Sequence, residues 1–202
     1  MEVEGKEALD AGASTGGFTD CLLSRGATSV VAVDVGKGQL LARLRADRRV
    51  QLVEGANVRY LQPSHLGGRA FPLVVADLSF ISLTVVAGAL VGLARPGADL
   101  VVLVKPQFEA GRATVSRGKG IVRDPGAWAA ALQVVSEAFG AAGAGVAGAM
   151  ASPLLGARGN VEFFLHLKVG DVGKQNLPDF SELAHGAMPS GGAERGELAW
   201  RG

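Results

Sequence analysis

Three charged side chains stand where apolar runs stop: Asp77 after Val74-Val75-Ala76, Lys105 after Leu103-Val104, and Glu162 between Val161 and Phe163-Phe164. In a parallel sheet such strand ends line one cleft, so residues far apart in the chain converge there. A lysine flanked by two carboxylates in a partly desolvated cleft suits the handling of a weakly acidic hydroxyl. Lys105 would hold the oxygen and stabilise its developing negative charge, or act as a base if its own pKa were lowered. Asp77 and Glu162 would fix the position of the ammonium group. Each residue taken singly is equally a strand-end charge kept for solubility; the coincidence of three at one edge favours chemistry.

A second stretch supplies a ligand cradle. Leu9-Asp10-Ala11-Gly12-Ala13-Ser14-Thr15-Gly16-Gly17-Phe18-Thr19 runs from an apolar strand through a glycine loop into a helix, which brings backbone N–H groups toward a ligand at the helix N-terminus. Asp34 closes the next apolar strand, Val30-Val31-Ala32-Val33, where a carboxylate can accept both hydroxyls of a ribose. Gly12, Gly16 and Gly17 do not fall at the G-x-G-x-x-G spacing of dinucleotide sites, which disfavours a nicotinamide-dependent oxidoreductase and favours another adenosine ligand. The D-x-G-x-x-x-G-G loop with an acidic strand end resembles motifs I and II of class I S-adenosylmethionine methyltransferases. An ordinary glycine-rich strand-to-helix turn is the plain alternative. The resemblance implies S-adenosylmethionine as cofactor and a binding set of Asp10, Gly12, Ala13, Ser14, Thr15, Gly16, Asp34, Val35, Asn57 and Asp77. In it Gly12, Ser14 and Gly16 surround the methionine moiety, Asp34 meets the ribose and Asn57 the adenine. Asn57 is equally a turn-former held by its own local hydrogen bonds. No metal-ligating set is read from the sequence.

The elements that must position these groups follow in order. Gly17 to Ser24 reads as a helix stopped at Arg25-Gly26, and Ser29 to Asp34 as a strand buried on both faces. Gln39 to Arg45 reads as a helix whose Arg43, Arg45, Arg48 and Arg49 make either a solvated face or a nucleic-acid contact. Val50 to Glu54 and Phe71 to Asp77 are strands; Phe80 to Ala94 is an apolar helix stopped at Arg95-Pro96-Gly97-Ala98; Asp99 to Lys105 is the fifth strand. Ala110 to Arg123, with Arg112, Arg117, Lys119 and Arg123, reads as a mobile basic loop able to touch phosphate. Asp124 and Pro125 open a helix to Phe139, and strands Val146 to Ser152 and Asn160 to Leu167 complete the set. This succession predicts an α/β class I methyltransferase Rossmann-like fold: a mostly parallel seven-stranded sheet with an antiparallel last strand and helices on both faces.

At 202 residues, 48% apolar and 19% charged, the chain can bury one sizeable α/β core. A net charge of +1 says nothing for or against nucleic acid. The single cysteine, Cys21, reads as a buried core thiol, which suits a reducing compartment. The longest apolar run, Leu83 to Ala94, is too short to span a bilayer. The expectation is a cytoplasmic protein without stable membrane association. Residues 1–169 are expected to form the domain, and 170–202, rich in Pro, Gly, Ser and charge, a disordered and partly vector-derived tail.

Five segments together carry a narrower resemblance: Leu9 to Thr19, Ala32-Val33-Asp34-Val35-Gly36, Asp77-Leu78-Ser79-Phe80-Ile81-Ser82, Leu103-Val104-Lys105-Pro106-Gln107-Phe108-Glu109 and Gly159-Asn160-Val161-Glu162-Phe163. They resemble the TlyA (hemolysin A) family over roughly residues 8 to 168, with an FtsJ-like catalytic domain. That resemblance implies methylation of cytidine ribose 2′-hydroxyls in ribosomal RNA, with ribosomal RNA or ribosomal subunits as partners. It implies a Lys-Asp-Lys-Glu tetrad whose last three members match Asp77, Lys105 and Glu162. The first lysine and an S4-type RNA-binding domain belong upstream of the glycine loop, and Lys6 lies too close to the first strand to replace that lysine. Met1 to Lys6 is short for this architecture, so a truncated chain that binds cofactor but is catalytically incomplete is one alternative. A membrane-active hemolysin, suggested only by the family's other name, is another.

Overall fold

The computed structural model describes residues 1–109, 120–171 and 178–188. Its elements are β1 (Glu7–Ala11), α1 (Gly17–Ser24), β2 (Ser29–Asp34), α2 (Ala42–Arg45), β3 (Val50–Glu54), β4 (Phe71–Ala76), α3 (Leu83–Gly92), β5 (Ala94–Val104), α4 (Pro106–Glu109), α5 (Pro125–Ala142), β6 (Ala144–Ala151), β7 (Phe163–Val169) and α6 (Phe180–Gly186). The strands form one seven-stranded sheet in the order β3-β2-β1-β4-β5-β7-β6. β1 to β5 pair in parallel, and β7 runs antiparallel between β5 and β6.

Central strands covered on both faces are mostly apolar, and Leu9, Val31, Val74, Leu100 and Val102 are buried in them. One face packs on α3, α5 and α6 through Val86 and Leu90, Leu132, Val135 and Phe139, and Phe180 and Ala184 in turn. The other packs Ala8, Val30, Leu73 and Val75 against Leu22 and Leu23 of α1 and Leu44 of α2. Phe163, Leu165 and Leu167 alternate inward along β7, and Trp128 of α5 stacks at a tilt on Phe163 with ring centroids 6.0 Å apart.

Several sequence expectations change. The helix expected from Gln39 is only the single turn Ala42–Arg45. The helix expected from Phe80 starts at Leu83, because Ser82 caps it by accepting the Thr84 N–H, and Phe80 itself has φ 66°. Arg95-Pro96-Gly97-Ala98 does not separate α3 from the fifth strand but makes an irregularity inside β5, where the register with β4 shifts between Phe71 and Leu73. Cys21 is exposed, since Thr19, Leu22 and Leu23 form the inward face of α1. Arg43, Arg45 and Arg49 pair with Asp20, Glu54 and Asp47, as a solvated face does. Disorder past residue 169 does not hold over α6: Asp179 caps it, and Phe180 and Ala184 are buried in the main core. Of the expected basic loop, Arg123 is exposed, while Arg112, Arg117 and Lys119 lie outside the described residues.

Lys6 sits at the amino edge of the sheet, opposite the strand ends named above. Its Nζ is 3.3 Å from Asp99 Oδ2, while His166 Nε2 and Lys168 Nζ lie 2.9 Å and 3.1 Å from Oδ1. Burial pushes the Asp99 carboxyl up, but hydrogen bonds from His166, Lys168 and Lys6 outweigh it and hold the group at about 2. A carboxylate depressed in the fold adds stability above its unfolded pKa and loses it as pH falls through about 2. Asp99→Asn is therefore expected to cost about 1–2 kcal/mol at pH 7, after allowance for solvent screening, in urea denaturation. An unchanged midpoint would show that the cluster adds nothing.

Candidate active site and cofactor cleft

The carboxyl edge of β1, β2, β4 and β5 gathers the residues expected to do chemistry. Asp77 follows β4, Lys105 follows β5, and Glu162 immediately precedes β7. Because β7 is antiparallel to β5, with Val104 opposite Phe163, the start of β7 lies at the same edge as the end of β5. Lys105 Nζ lies 2.5 Å from Asp77 Oδ1 as an ion pair, off the hydrogen-bonding direction, and donates to Ser79 Oγ at 3.0 Å. Glu162 is not in that ion pair: its Oε1 accepts from Gln107 Nε2 at 3.1 Å. Burial raises the Glu162 carboxyl above the ordinary range, against the pull of Gln107 and the Lys105 charge. The expectation of a lysine flanked by two carboxylates thus resolves into one direct partner and one neighbour held by an amide.

The position of Glu162 depends on Gly156. A Cβ at that residue would overlap the Glu162 carboxylate, although Gly156 has φ −73°, which any residue adopts. The glycine serves close approach, not backbone freedom.

Next to this group lies the glycine loop. Gly12 and Ala13 donate their N–H groups to Val33 O at 2.8 and 3.1 Å, which ties the loop to β2. Gly12 has φ 86°, and a Cβ there would strike the Asp77 carbonyl oxygen, so the loop and the turn after β4 touch backbone to backbone. Asp34 ends β2 with Oδ2 accepting from Ser14 N at 2.8 Å and Oδ1 from Gly36 N at 2.7 Å. Its side chain therefore joins the glycine loop to the next turn and keeps further acceptor capacity. Thr15 takes part through its carbonyl, which accepts from Leu41, and Gly16 is the left-handed N-cap of α1. Val35 is exposed at the rim, and Asn57 Oδ1 accepts from Arg59 N, the local turn bond expected of it.

Asp10 is fully buried on β1. Its Oδ2 accepts from Thr19 Oγ1 at 2.6 Å, while Oδ1 has no partner. Desolvation raises the carboxyl to about 6, against hydrogen bonds from Thr19, with Asp77 and Asp34 adding smaller like-charge effects. The edge is thus rich in acceptors: Asp10, Asp34, Asp77 and Glu162 lie along it, and Lys105 pairs with Asp77. That acceptor set suits a ligand bearing hydroxyls and positive charge, as S-adenosylmethionine does. Among the described residues, no group of three or more His, Cys, Asp or Glu is placed to hold a metal ion.

Sequence reasoning missed Ser79, Phe80, Gln107, Phe108 and Gly156. Phe80 is 92% exposed, and its ring meets that of Phe108 with centroids 5.4 Å apart. An aromatic residue three positions after Asp77 was the available signal, but the predicted helix absorbed it.

A Rossmann-like sheet with a reversed seventh strand, a glycine loop after β1 and an acid at the end of β2 defines a class I S-adenosylmethionine methyltransferase fold. The N-methyltransferase NodS from Bradyrhizobium japonicum in complex with S-adenosylhomocysteine shares the fold, with TM-score 0.57, 13% identity, and coverage of 82% of this chain and 78% of that one. The chain belongs to the FtsJ-like methyltransferase family, whose model matches residues 1–169. It is 49% identical over 191 residues to the 16S/23S rRNA (cytidine-2′-O)-methyltransferase TlyA of Mycobacterium tuberculosis, covering 95% of this chain and 70% of that protein. A solved protein from Streptococcus thermophilus that carries a provisional hemolysin name superposes with TM-score 0.88 at 40% identity, covering 93% of this chain and 68% of that one. Among the described residues, no helix is long and apolar enough to cross a membrane.

The raised Asp10 carboxyl has a measurable signature. The folded state keeps a proton that the unfolded chain releases at 3.8, so this contribution is full below 3.8 and is lost as pH rises through about 6. Asp10→Asn still accepts from Thr19 but cannot ionise. Its stability relative to wild type, from denaturation at pH 4 to 7, is expected to rise by up to about 3 kcal/mol. A flat difference would refute the raised value.

Proposed function

We propose that this chain is the catalytic domain of an S-adenosylmethionine-dependent methyltransferase that modifies ribose 2′-hydroxyls of cytidines in ribosomal RNA. Its working partners are then ribosomal RNA or ribosomal subunits in the cytoplasm. The observation that carries the reading is the Asp77–Lys105 pair, with Glu162 beside it, at the edge where the glycine loop and Asp34 converge. The TlyA relative named above is itself a 16S/23S rRNA (cytidine-2′-O)-methyltransferase, which supports the substrate. We take residues 1–169, the extent of the family match, as the body of the domain, to whose core α6 adds Phe180 and Ala184.

S-adenosylmethionine, when bound, supplies an electrophilic methyl group on a sulfonium centre. The chain's own residues bind and orient. Gly12, Ala13, Ser14, Thr15 and Gly16 would surround the methionine portion, Asp34 the ribose, and Val35 and Asn57 the adenine. Asp10 offers its free Oδ1 as a buried acceptor. Asp77 closes the cleft behind Gly12.

At the acceptor side, the Lys105 ammonium has three donors. One is spent on Ser79 and the charge is paired with Asp77, which leaves donor capacity for a ribose hydroxyl. Held there, the oxygen is stabilised by positive charge as its proton is lost, and that stabilisation is strongest where water is excluded. Glu162, with its carboxyl raised, is suited to exchange that proton. Phe80, exposed on a positive-φ backbone beside the site, offers a face on which an unstacked base can rest.

Calorimetric titration of S-adenosylmethionine into wild type, with NADH as control, is expected to show saturable binding to the former ligand alone. Asp34→Ala should weaken it by about 10-fold or more, the loss of hydrogen bonds to a charged group. No binding by a folded wild type would sink the cofactor assignment.

Methyl transfer to purified 30S and 50S subunits is expected to fall by about 10²-fold or more in Lys105→Ala. Gly156→Ala, which displaces the Glu162 carboxylate and leaves the backbone unstrained, should lose about 10²-fold as well. Full activity in Lys105→Ala would remove Lys105 from the acceptor site, and full activity in Gly156→Ala would remove Glu162 from it.

A further inference from the structure

The turn after β4 is under strain and must be held from both ends. Phe80 has φ 66°, a conformation unfavourable for an aromatic residue, and its side chain faces solvent instead of a core that would stabilise it. Such a residue persists only where its neighbours over-determine it. On the amino side, the Asp77 N–H donates to Ala11 O at 3.0 Å, which anchors the turn to β1. On the carboxyl side, the anchor comes from Glu109, at the end of α4.

Glu109 Oε1 accepts from the Leu83 backbone N–H at 2.8 Å, and Oε2 accepts from the Ser82 hydroxyl. These are the first residues of α3: Ser82 is its N-cap, and the Leu83 N–H is a donor that the helix itself leaves without a partner. A carboxylate is the natural acceptor at this end of a helix. The side chain is half-buried, and burial raises its carboxyl while Ser82 and Leu83 hold it down.

The cross-links run in register between two segments. Lys105 meets Asp77 and Ser79, Phe108 meets Phe80, and Glu109 meets Ser82 and Leu83. We propose that Glu109 is a positioning residue that clamps the turn after β4 to the segment after β5, and thereby fixes Phe80 and the Asp77–Lys105 pair relative to each other. The assignment rests on the reading of this edge as the acceptor site. Glu109 touches neither cofactor nor acceptor in that reading; it acts through Ser82, Leu83 and Phe108.

The experiment joins hydrogen–deuterium exchange of the full chain with steady-state methyl transfer to purified 30S and 50S subunits, for wild type, Glu109→Ala and Glu109→Gln. In Glu109→Ala, exchange is expected to quicken across residues 78–84 while β1 to β3 stay as in wild type. S-adenosylhomocysteine affinity, read by calorimetry, should hold, and kcat should fall by about 10²-fold, the cost of a displacement near 1 Å at the chemistry. Glu109→Gln, which keeps one acceptor oxygen, should restore most of the protection and of kcat. Wild-type exchange across 78–84 in Glu109→Ala would overturn the clamp, as would a uniform rise in exchange over the whole molecule or an unchanged kcat. The exchange readout does not depend on the substrate: absence of transfer by the wild type would sink the reading of the substrate and leave the clamp to be judged on exchange alone.

Discussion

The site depends on the backbone contact between Gly12 and Asp77. β1 and β4 are parallel neighbours with Ala11 opposite Ala76, so the residues that follow them leave the sheet side by side. There is room for both turns only because Gly12 has no side chain, and the Asp77 N–H returns to Ala11 O to lock them together. The glycine loop, which would cradle the methionine portion of the cofactor, and the turn that carries the acid beside Lys105 are therefore one rigid unit. In-line transfer between two ligands needs their two sites held at fixed separation, and in the proposed reading this contact would set it.

Around that unit the sheet arranges charge of opposite kinds at its two edges. At the amino edge, Asp99 is surrounded by Lys6, His166 and Lys168 and is stabilised as an anion. At the carboxyl edge, Asp10 keeps one carboxylate oxygen without a partner and Glu162 is held by the Gln107 amide, and burial raises both. A carboxylate with three cations is a structural pin; buried carboxylates with raised pKa values at a sheet edge are, in the proposed reading, groups available to a ligand. The same residue type is thus put to two uses by its surroundings, and stability given up at one edge is offset by packing elsewhere in the core.

Much of this was legible in the chain. Strands Ser29–Asp34 and Val50–Glu54 and helix Gly17–Ser24 follow from apolar runs and turn residues, and Asp34, Asp77, Lys105 and Glu162 stand out as charges at the ends of such runs. What escaped was set by contacts that no local pattern carries. Phe80 lies in a stretch with good helical character, yet Ser82, which accepts the Thr84 N–H, and Glu109, which accepts the Leu83 N–H, move the helix start past it. Cys21 looks like core because its neighbours are apolar, but the face of α1 that meets the sheet is chosen by Thr19, Leu22 and Leu23. Phe180 and Ala184 sit in a polar stretch, and only docking on the main core makes a helix of it.

The sequence by itself determined the sheet, the glycine loop and the identity of the charged groups at strand ends, because hydrophobic period and turn chemistry are local properties that survive in one dimension. Only the tertiary structure decided which of those charges meet. Asp77 reaches Lys105 because β4 and β5 are parallel neighbours, and Glu162 joins them because β7 reverses direction and presents its start where β5 presents its end. Gly156 and Gln107 then select the place of the Glu162 carboxylate, one by its missing side chain and the other by a hydrogen bond. Those are distances across the fold, set by pairing partners and register, and no spacing along the chain encodes them.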